Sequence, residues 1–334
     1  MLSSSLFGLT ANRFALNFIF VVINVETIKL RRLNIMKRIL LFFVTLLAVS
    51  TISVYNVYSQ KGLKVFISVD MEGVAGVVHS DQVSVGGNDY QMARRWMTEE
   101  ANAAILGALD AGAAEIVVND SHGSMRNILA GEINPAARLI TGSPKPLAMM
   151  QGIDETFDAV IFVGYHARAG TANATLDHTY SSGSISAFKV NGVEIGESEM
   201  NALIAGHYGV PVVMVAGDRA VCSQVRNSLG QNIVTTEVKE SIGRYAARTM
   251  VPAEAQKLIR ANTAAALMKL KDFKPYKSTV PYQFEITFLY SHQAEAAMAV
   301  PGIERVSART VRYSKENFIE GFKLFRALVT LASS

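Results

Sequence analysis

Three short apolar, β-branched runs in this chain each end in residues able to bind a metal. Lys64–Val69 (KVFISV) runs into Asp70 and Glu72, Glu115–Asn119 (EIVVN) into Asp120 and His122, and Ala159–Gly164 (AVIFVG) into His166. Runs of this kind, bounded by Gly and polar residues, read as central strands of a parallel sheet buried on both faces. Open α/β sheets bind ligands outside the carboxyl ends of such strands. Two carboxylates and two imidazoles arriving at one sheet edge are the raw material of a metal site. Repetition of the pattern constrains the fold more than any one residue does.

The segments between these runs supply the crossovers. Asn88 to Gly112 carries Tyr90, Ala93, Met97, Ala101, Ala104 and Ile105 at helical spacing, with Gly112 as the stop. A shorter helical stretch is expected from Pro146 to Ile153. Ser184–Val190, Asn191-Gly192 and Val193–Ile195 read as a hairpin with the favoured Asn-Gly turn. A helix from Ser198 to Tyr208 and a strand from Pro211 to Val215, leading to Asp218, follow. Beyond residue 250 the pattern changes to an Ala-rich helix (Val251–Leu270), alternating strands (Tyr282–Tyr290 and Val306–Tyr313) and a closing amphipathic helix (Asn317–Ala332). The expected fold class is α/β, a mostly parallel sheet flanked by helices, with a smaller C-terminal α+β portion. The expected division is a leader over 1–59, a metal-binding catalytic domain over 60–250 and an α+β subdomain over 251–334.

Charge excludes one class of partner. The formal net charge is +4, yet residues 1–59 hold six of the 32 Lys and Arg and only one of the 28 Asp and Glu. The remainder carries 26 basic against 27 acidic side chains, which is no electrostatic footprint for nucleic acid. Met36-Lys37-Arg38 followed by the apolar run Ile39–Val49 has the charged and apolar regions of a secretory signal peptide, with a cleavage site expected after Val57-Tyr58-Ser59. Translation is expected to begin at Met36, and the mature protein to be periplasmic or secreted. A membrane anchor is the second choice, because the apolar run is short against the ~20 residues a spanning helix needs. The single Cys222 excludes a disulfide framework and a cysteine-rich zinc site.

Asp70 and Glu72 lie two apart, so in extended chain both carboxylates share one face. Carboxylates and imidazoles are ordinary zinc ligands, and a shared acid can bridge two ions ~3.5–4 Å apart. Taken alone, Asp70 reads as a helix cap and Glu72 as a solvated acid; alongside His122 and His166 the metal reading prevails. Asp120 either orients a ligand histidine or caps the next turn. Ser121, beside Asp120 and His122, makes a poor hydrolase triad, since neighbours point apart and no G-x-S-x-G elbow occurs. Spacing leaves Glu194, Glu197 and Glu199 undecided between metal binding and capping of the following helix. His178 lies in a polar loop close after a strand-end candidate, where catalytic groups are common. His79, His207 and His292 lack that placement.

Ser68-Val-Asp-Met-Glu-Gly73 resembles the S-x-D-x-E-G motif of the DppA-type D-aminopeptidases, a zinc metallopeptidase family. Asn119–His122, Gly164–Arg168 and Gly196-Glu197 ahead of Asn201-Ala202 are similar to further blocks of that family, in the same order, over about residues 63 to 333. The resemblance implies two zinc ions bridged by Asp70. Glu72 and His122 would complete one site, and His166 and Glu197 the other. It implies His178 as the catalytic histidine, short peptides with an N-terminal D-residue such as D-Ala-D-Ala as substrates, and a homodecamer enclosing the active sites. The leader is a departure, since the family's well-known member lacks one, and it points to envelope peptides rather than cytoplasmic dipeptides. Two other readings are a different metal-dependent amide or phosphoester hydrolase on the same scaffold, and a non-catalytic periplasmic binding protein.

Overall fold

The computed structural model describes residues 37, 39–46 and 62–333. Residues 37 and 39–46 are helical, with Ile39, Leu40, Phe42, Phe43, Val44 and Leu46 exposed. The expected start at Met36 and the cleavage site at Val57–Ser59 lie outside the described residues. Among the described residues no helix is long and apolar enough to cross a membrane.

Gly62–Ser334 forms a compact unit of its own. Its elements are, in chain order, β1 (Leu63–Val69), α1 (Ser80–Val83), α2 (Tyr90–Asp110), β2 (Ala113–Asp120), β3 (Ala137–Ile140), β4 (Ala159–Tyr165), β5 (Ile185–Val190), β6 (Val193–Glu194), α3 (Glu197–His207), β7 (Val212–Asp218) and α4 (Arg219–Leu229). They continue with β8 (Val234–Gly243), β9 (Ala246–Thr249), α5 (Pro252–Met268), β10 (Tyr282–Phe288), α6 (Ser291–Ala297), β11 (Glu304–Arg305), β12 (Thr310–Lys315) and α7 (Phe318–Ala332).

One sheet runs β3-β2-β1-β4-β7-β8-β9, parallel except for the last pair. The second, antiparallel, runs β11-β12-β10-β5-β6. The α/β class, the dominant parallel sheet and the antiparallel portion therefore appear as the sequence implies. The hairpin at 185–194 belongs to the second sheet, with Asn191 (φ 51°) and Gly192 (φ 78°) in the left-handed conformation its turn requires.

Alternation along the central strands separates two cores. Val65, Ile67 and Val69 of β1, with Ile161 and Val163 of β4, pack against α2 and α5 through Ala101, Ala104, Ile105 and Ile259. Phe66 and, on β4, Val160 and Phe162 face the other way, into a core shared with Phe188, Phe284, Phe322 and Phe325. The parallel sheet is thus covered on both faces, which explains its uninterrupted apolar runs.

Some elements differ from the sequence expectation. Pro146–Ile153 is no helix but a single 3-10 turn at Ala148–Met150, entered with Ala148 at φ 46°. Its Met149 carbonyl accepts from Ser68 Oγ (2.9 Å) and Asn119 Nδ2 (2.7 Å), so core side chains take the place of helical hydrogen bonds. The last long strand begins at Thr310 rather than Val306, because Val306 N and Ser307 N both bond back to Thr310 O (2.9 and 3.2 Å) to close a turn. Strands β3, β8 and β9 had no counterpart in the sequence expectation; all three lie at or next to a sheet edge.

The chain leaves β1 for β2 and β3 on one side and returns for β4 and β7 on the other. The strand order therefore reverses between β1 and β4, the crevice where such sheets bind ligands. Here the two strand ends approach closely: Asp70 N donates to Val163 O (2.8 Å) and Gly73 N to Gly164 O (2.7 Å). A Cβ at Gly73 would fall 1.9 Å from Tyr165 O, and one at Gly164 (φ 70°) 2.1 Å from Asp70 O. Only glycine fits at either position.

Behind this crevice β8 sends Lys239 under the loop that follows β1. Its ammonium is buried and donates to the carbonyls of Glu72, Val74 and Val77. Glu100, buried on α2, accepts from Ala75 N (2.8 Å) through Oε1 and leaves Oε2 without a hydrogen-bond partner among the described residues. Desolvation lifts this carboxyl to about 7, against the Ala75 hydrogen bond and the Lys239 charge that favour ionisation. A carboxyl whose folded pKa exceeds its unfolded value loses stability as pH rises between the two. Glu100→Gln is therefore expected to match wild type near pH 4. By pH 8 it should be the more stable, by about 3 kcal/mol at most, read by urea denaturation of the metal-free protein at both pH values. Equal stability across that range would show that Glu100 is accommodated as an anion.

Candidate metal centre

Six ionisable side chains converge on the crevice. Asp70 and Glu72 follow β1, His122 follows β2, His166 follows β4, Glu197 opens α3 and His178 lies in the loop between β4 and β5. All but His178, which is partly exposed, are buried. His122 Nδ1 lies 3.0 Å from Glu72 Oε2 and 3.3 Å from Asp70 Oδ1. His166 Nε2 lies 3.5 Å from Asp70 Oδ2 and 3.3 Å from Glu197 Oε1. Asp70 thus turns one oxygen to each histidine. Asp70, Glu72 and His166 offer donor atoms within 4.8 Å of one another, as do His166, His178 and Glu197.

Each imidazole is held by its other nitrogen. His122 Nε2 faces Val83 O (2.7 Å), His166 Nδ1 faces Ala167 O (3.0 Å) and His178 Nδ1 faces Leu176 O (3.0 Å). A carbonyl only accepts, so the proton belongs on those nitrogens and a lone pair on the opposite ones. The His178 ring stacks on His166, centroids 4.1 Å apart and 11° from parallel, with Nε2 3.5 Å from Glu197 Oε1.

The decisive atom is His166 Nε2. It is buried and makes no hydrogen bond among the described residues, although two carboxylate oxygens stand within 3.5 Å. A lone pair facing two anions in a dry site is repelled unless a cation lies between them. Without a metal that cation is a proton. Burial opposes it, but the Glu197 charge, with the hydrogen bond that only a protonated Nε2 can donate to Glu197, overcomes burial and carries His166 up to about 10. His122 likewise rises well above its ordinary value, burial being outweighed by Glu72 and Asp70. Asp70 is pushed up to about 7, first by desolvation and then by the neighbouring Glu72 charge. Desolvation also works against Glu72 and Glu197, yet His122 and His166 respectively hold them below the usual range. Desolvation and the His166 charge drive His178 down. Buried carboxylate oxygens and imidazole nitrogens in such numbers suit zinc.

The structure also separates the three acids that spacing left undecided. Glu197 faces His166 and His178 and accepts from Tyr180 N (2.6 Å). Glu199 caps its own helix, accepting from Gly196 N (3.0 Å), and also receives Ser228 Oγ (3.0 Å). Glu194 makes a surface pair with Arg168 (3.3 Å). Asp120 braces the turn after His122, accepting from Ile128 N (2.7 Å) and Asn127 Nδ2 (2.8 Å). Ser121 Oγ is engaged with Ser68 Oγ (2.7 Å). His79 caps α1, accepting from Asp81 N (3.3 Å). Cys222 is buried, its thiol pushed up by desolvation.

A D-aminopeptidase (peptidase M55) family profile matches residues 63–327. The chain belongs to this family. It is 36% identical over 271 residues to the D-aminopeptidase of Bacillus subtilis (strain 168), covering 81% of this chain and 98% of that protein. The fold superposes on the solved structure of the Zn-dependent D-aminopeptidase DppA from Bacillus subtilis, described as a self-compartmentalizing protease, with a TM-score of 0.79 at 36% identity. That match covers 81% of this chain and 98% of that one. The matched span holds every residue of the crevice described above.

Proximity of one more side chain could not be anticipated from sequence spacing. The crevice opens into a cleft of about 460 Å³, and Arg326 of α7 lines it together with His122, His178 and Tyr180.

Proposed function

We propose that this chain is an exported dizinc aminopeptidase that removes the N-terminal D-residue from short peptides such as D-Ala-D-Ala. Its family membership supports a zinc-dependent D-aminopeptidase, and the bare, buried Nε2 of His166 between two carboxylates is the observation that carries the metal reading. Asp70 would bridge the two ions, with Glu72 and His122 completing one set of ligands and His166 and Glu197 the other. Bound there, zinc supplies Lewis acidity to the scissile carbonyl and lowers the pKa of its water toward ~7.

The chain's own groups do the rest. Glu197, held by the Tyr180 amide, keeps its oxygen toward His166. His178, its pKa lowered by desolvation and the His166 charge, donates its Nδ1–H to Leu176 O and has Nε2 free to take a proton during attack and return it to the leaving amine. A cleft of about 460 Å³ has room for a short peptide.

The test is metal analysis of the purified protein, with turnover of D-Ala-D-Ala, L-Ala-L-Ala and a phosphomonoester before and after chelation. About two zinc ions per chain and chelator-sensitive cleavage of the D-dipeptide are expected. Cleavage that survives removal of all metal, or confined to the phosphoester, would overturn the reading. Export is supported by the charged and apolar pattern of residues 36–49. Mass spectrometry should find a mature N-terminus near Gln60, and an intact residue 36 on the exported protein would refute cleavage. A homo-oligomer, on the family pattern a decamer, is supported by the self-compartmentalizing relative. Light scattering at one-subunit mass would exclude it.

A further inference from the structure

Resting on the peptidase reading above, we infer that Arg326 is a specificity-determining residue that pairs with the C-terminal carboxylate of the substrate and so restricts the enzyme to very short peptides. Arg326 sits on α7 immediately after Phe325, whose ring is buried in the core, so the guanidinium emerges at the wall of the cleft. It is the only Lys or Arg lining that cleft among the described residues; besides Tyr180, whose phenol accepts from this same guanidinium, the other charged or titratable groups there are Asp70, Glu72, His122, His178 and Glu197. Those belong to the candidate metal centre. A peptide carries one obligatory anion besides, its C-terminal carboxylate, and inside a cleft this charge needs a partner.

The guanidinium is positioned in advance. Nε donates to Tyr180 Oη (2.8 Å) and one terminal nitrogen donates to Lys145 O. Two of its five N–H groups are thereby spent on fixing the plane, and three remain for a ligand. A planar fork of this kind matches a carboxylate better than an ammonium would. Tyr180 also sets the distance, since its backbone N–H holds Glu197 Oε1 (2.6 Å) while its phenol oxygen holds Arg326. The gap between candidate ligand and guanidinium is thus spanned by one tyrosine. From backbone nitrogen to phenol oxygen that is about 7 Å, the reach of about two extended residues. A dipeptide or tripeptide with its scissile bond at the metals can deliver its carboxylate there; a longer chain would have to carry an uncharged amide past it.

The experiment compares D-Ala-D-Ala with its C-terminal amide on the zinc-loaded enzyme, in wild type, Arg326→Gln and Arg326→Lys. The free acid is expected to have kcat/KM about 10- to 100-fold above the amide in wild type, mostly through KM. Arg326→Gln should bring the ratio close to one by losing only on the acid, and Arg326→Lys should retain part of the preference. Because the pairing is a binding property, both ligands are also titrated by calorimetry into zinc-loaded His178→Ala, with and without Arg326→Gln. That measurement reads the inference even if wild type cleaves neither compound. Tighter binding of the acid that disappears with Arg326→Gln supports the assignment. Equal affinity for acid and amide, no binding of either, or equal losses on both ligands in Arg326→Gln would overturn it, the last by revealing a purely structural arginine.

Discussion

Asp70→Asn is expected to lower kcat/KM for a D-dipeptide by more than about 10³-fold, a larger loss than removal of one ordinary transition-state hydrogen bond brings. Asp70 Oδ1 lies 3.3 Å from His122 Nδ1 and Oδ2 lies 3.5 Å from His166 Nε2, so both candidate sites share this one carboxylate. Asparagine keeps the shape but turns one acceptor into a donor and removes the charge that the proposed bridge requires. Zinc content should fall at both sites together, whereas His122→Ala should empty one. Misfolding is separable from metal loss. Desolvation and Glu72 raise Asp70 to about 7 in the metal-free protein, so its ionisation costs stability as pH rises toward that value. The metal-free Asp70→Asn protein should therefore melt no lower than metal-free wild type at pH 8, while zinc no longer raises its Tm. Full zinc occupancy in the variant would remove Asp70 from the bridging role.

The second large effect is expected at His178. Its replacement by Ala should lower kcat by about 10²- to 10⁴-fold, the usual range for general acid–base help, with zinc content unchanged. The geometry makes this a sharp test, because His178 also lies within donor range of His166 and Glu197 and could serve as a ligand there. Metal analysis separates the two roles: stoichiometric zinc with lost turnover identifies a proton carrier, and loss of one ion identifies a ligand. Stacking on His166 adds a constraint on the substitution. His178→Gln, which fills more of the same space, should retain the His166 ring position and yet recover none of the rate.

The parts of this molecule that could be read in advance are those where local chain direction decides side-chain direction. Asp70, Glu72, His122 and His166 lie at the ends of β1, β2 and β4, and the parallel arrangement of those strands alone brings them to one edge. Glu197 could not be separated from Glu194 and Glu199 because all three flank a hairpin-to-helix junction, where the path is set by tertiary packing. Only the Tyr180 amide and the two imidazoles single it out. Lys239, Glu100 and Arg326 gave no signal, since a lone charge on a strand or helix reads as solvated until distant segments bury it. Strands β8 and β9 were missed for a related reason. β9 is the sheet edge and β8 the strand beside it, and both are rich in Thr, Glu, Lys and Arg with few apolar positions.

Strand β8 and its hairpin tip touch both loops of the centre. Lys239 holds the carbonyls of Glu72, Val74 and Val77, while Arg244 donates to the carbonyl and carboxylate of Asp177, next to His178. Arg244 O also accepts from Leu176 N (2.9 Å). This outlying ribbon therefore acts as a strut between the loop after β1 and the loop that carries His178, two sides of the candidate centre. Anyone reshaping this enzyme by loop grafting would find 239–244 among the least forgiving places to cut.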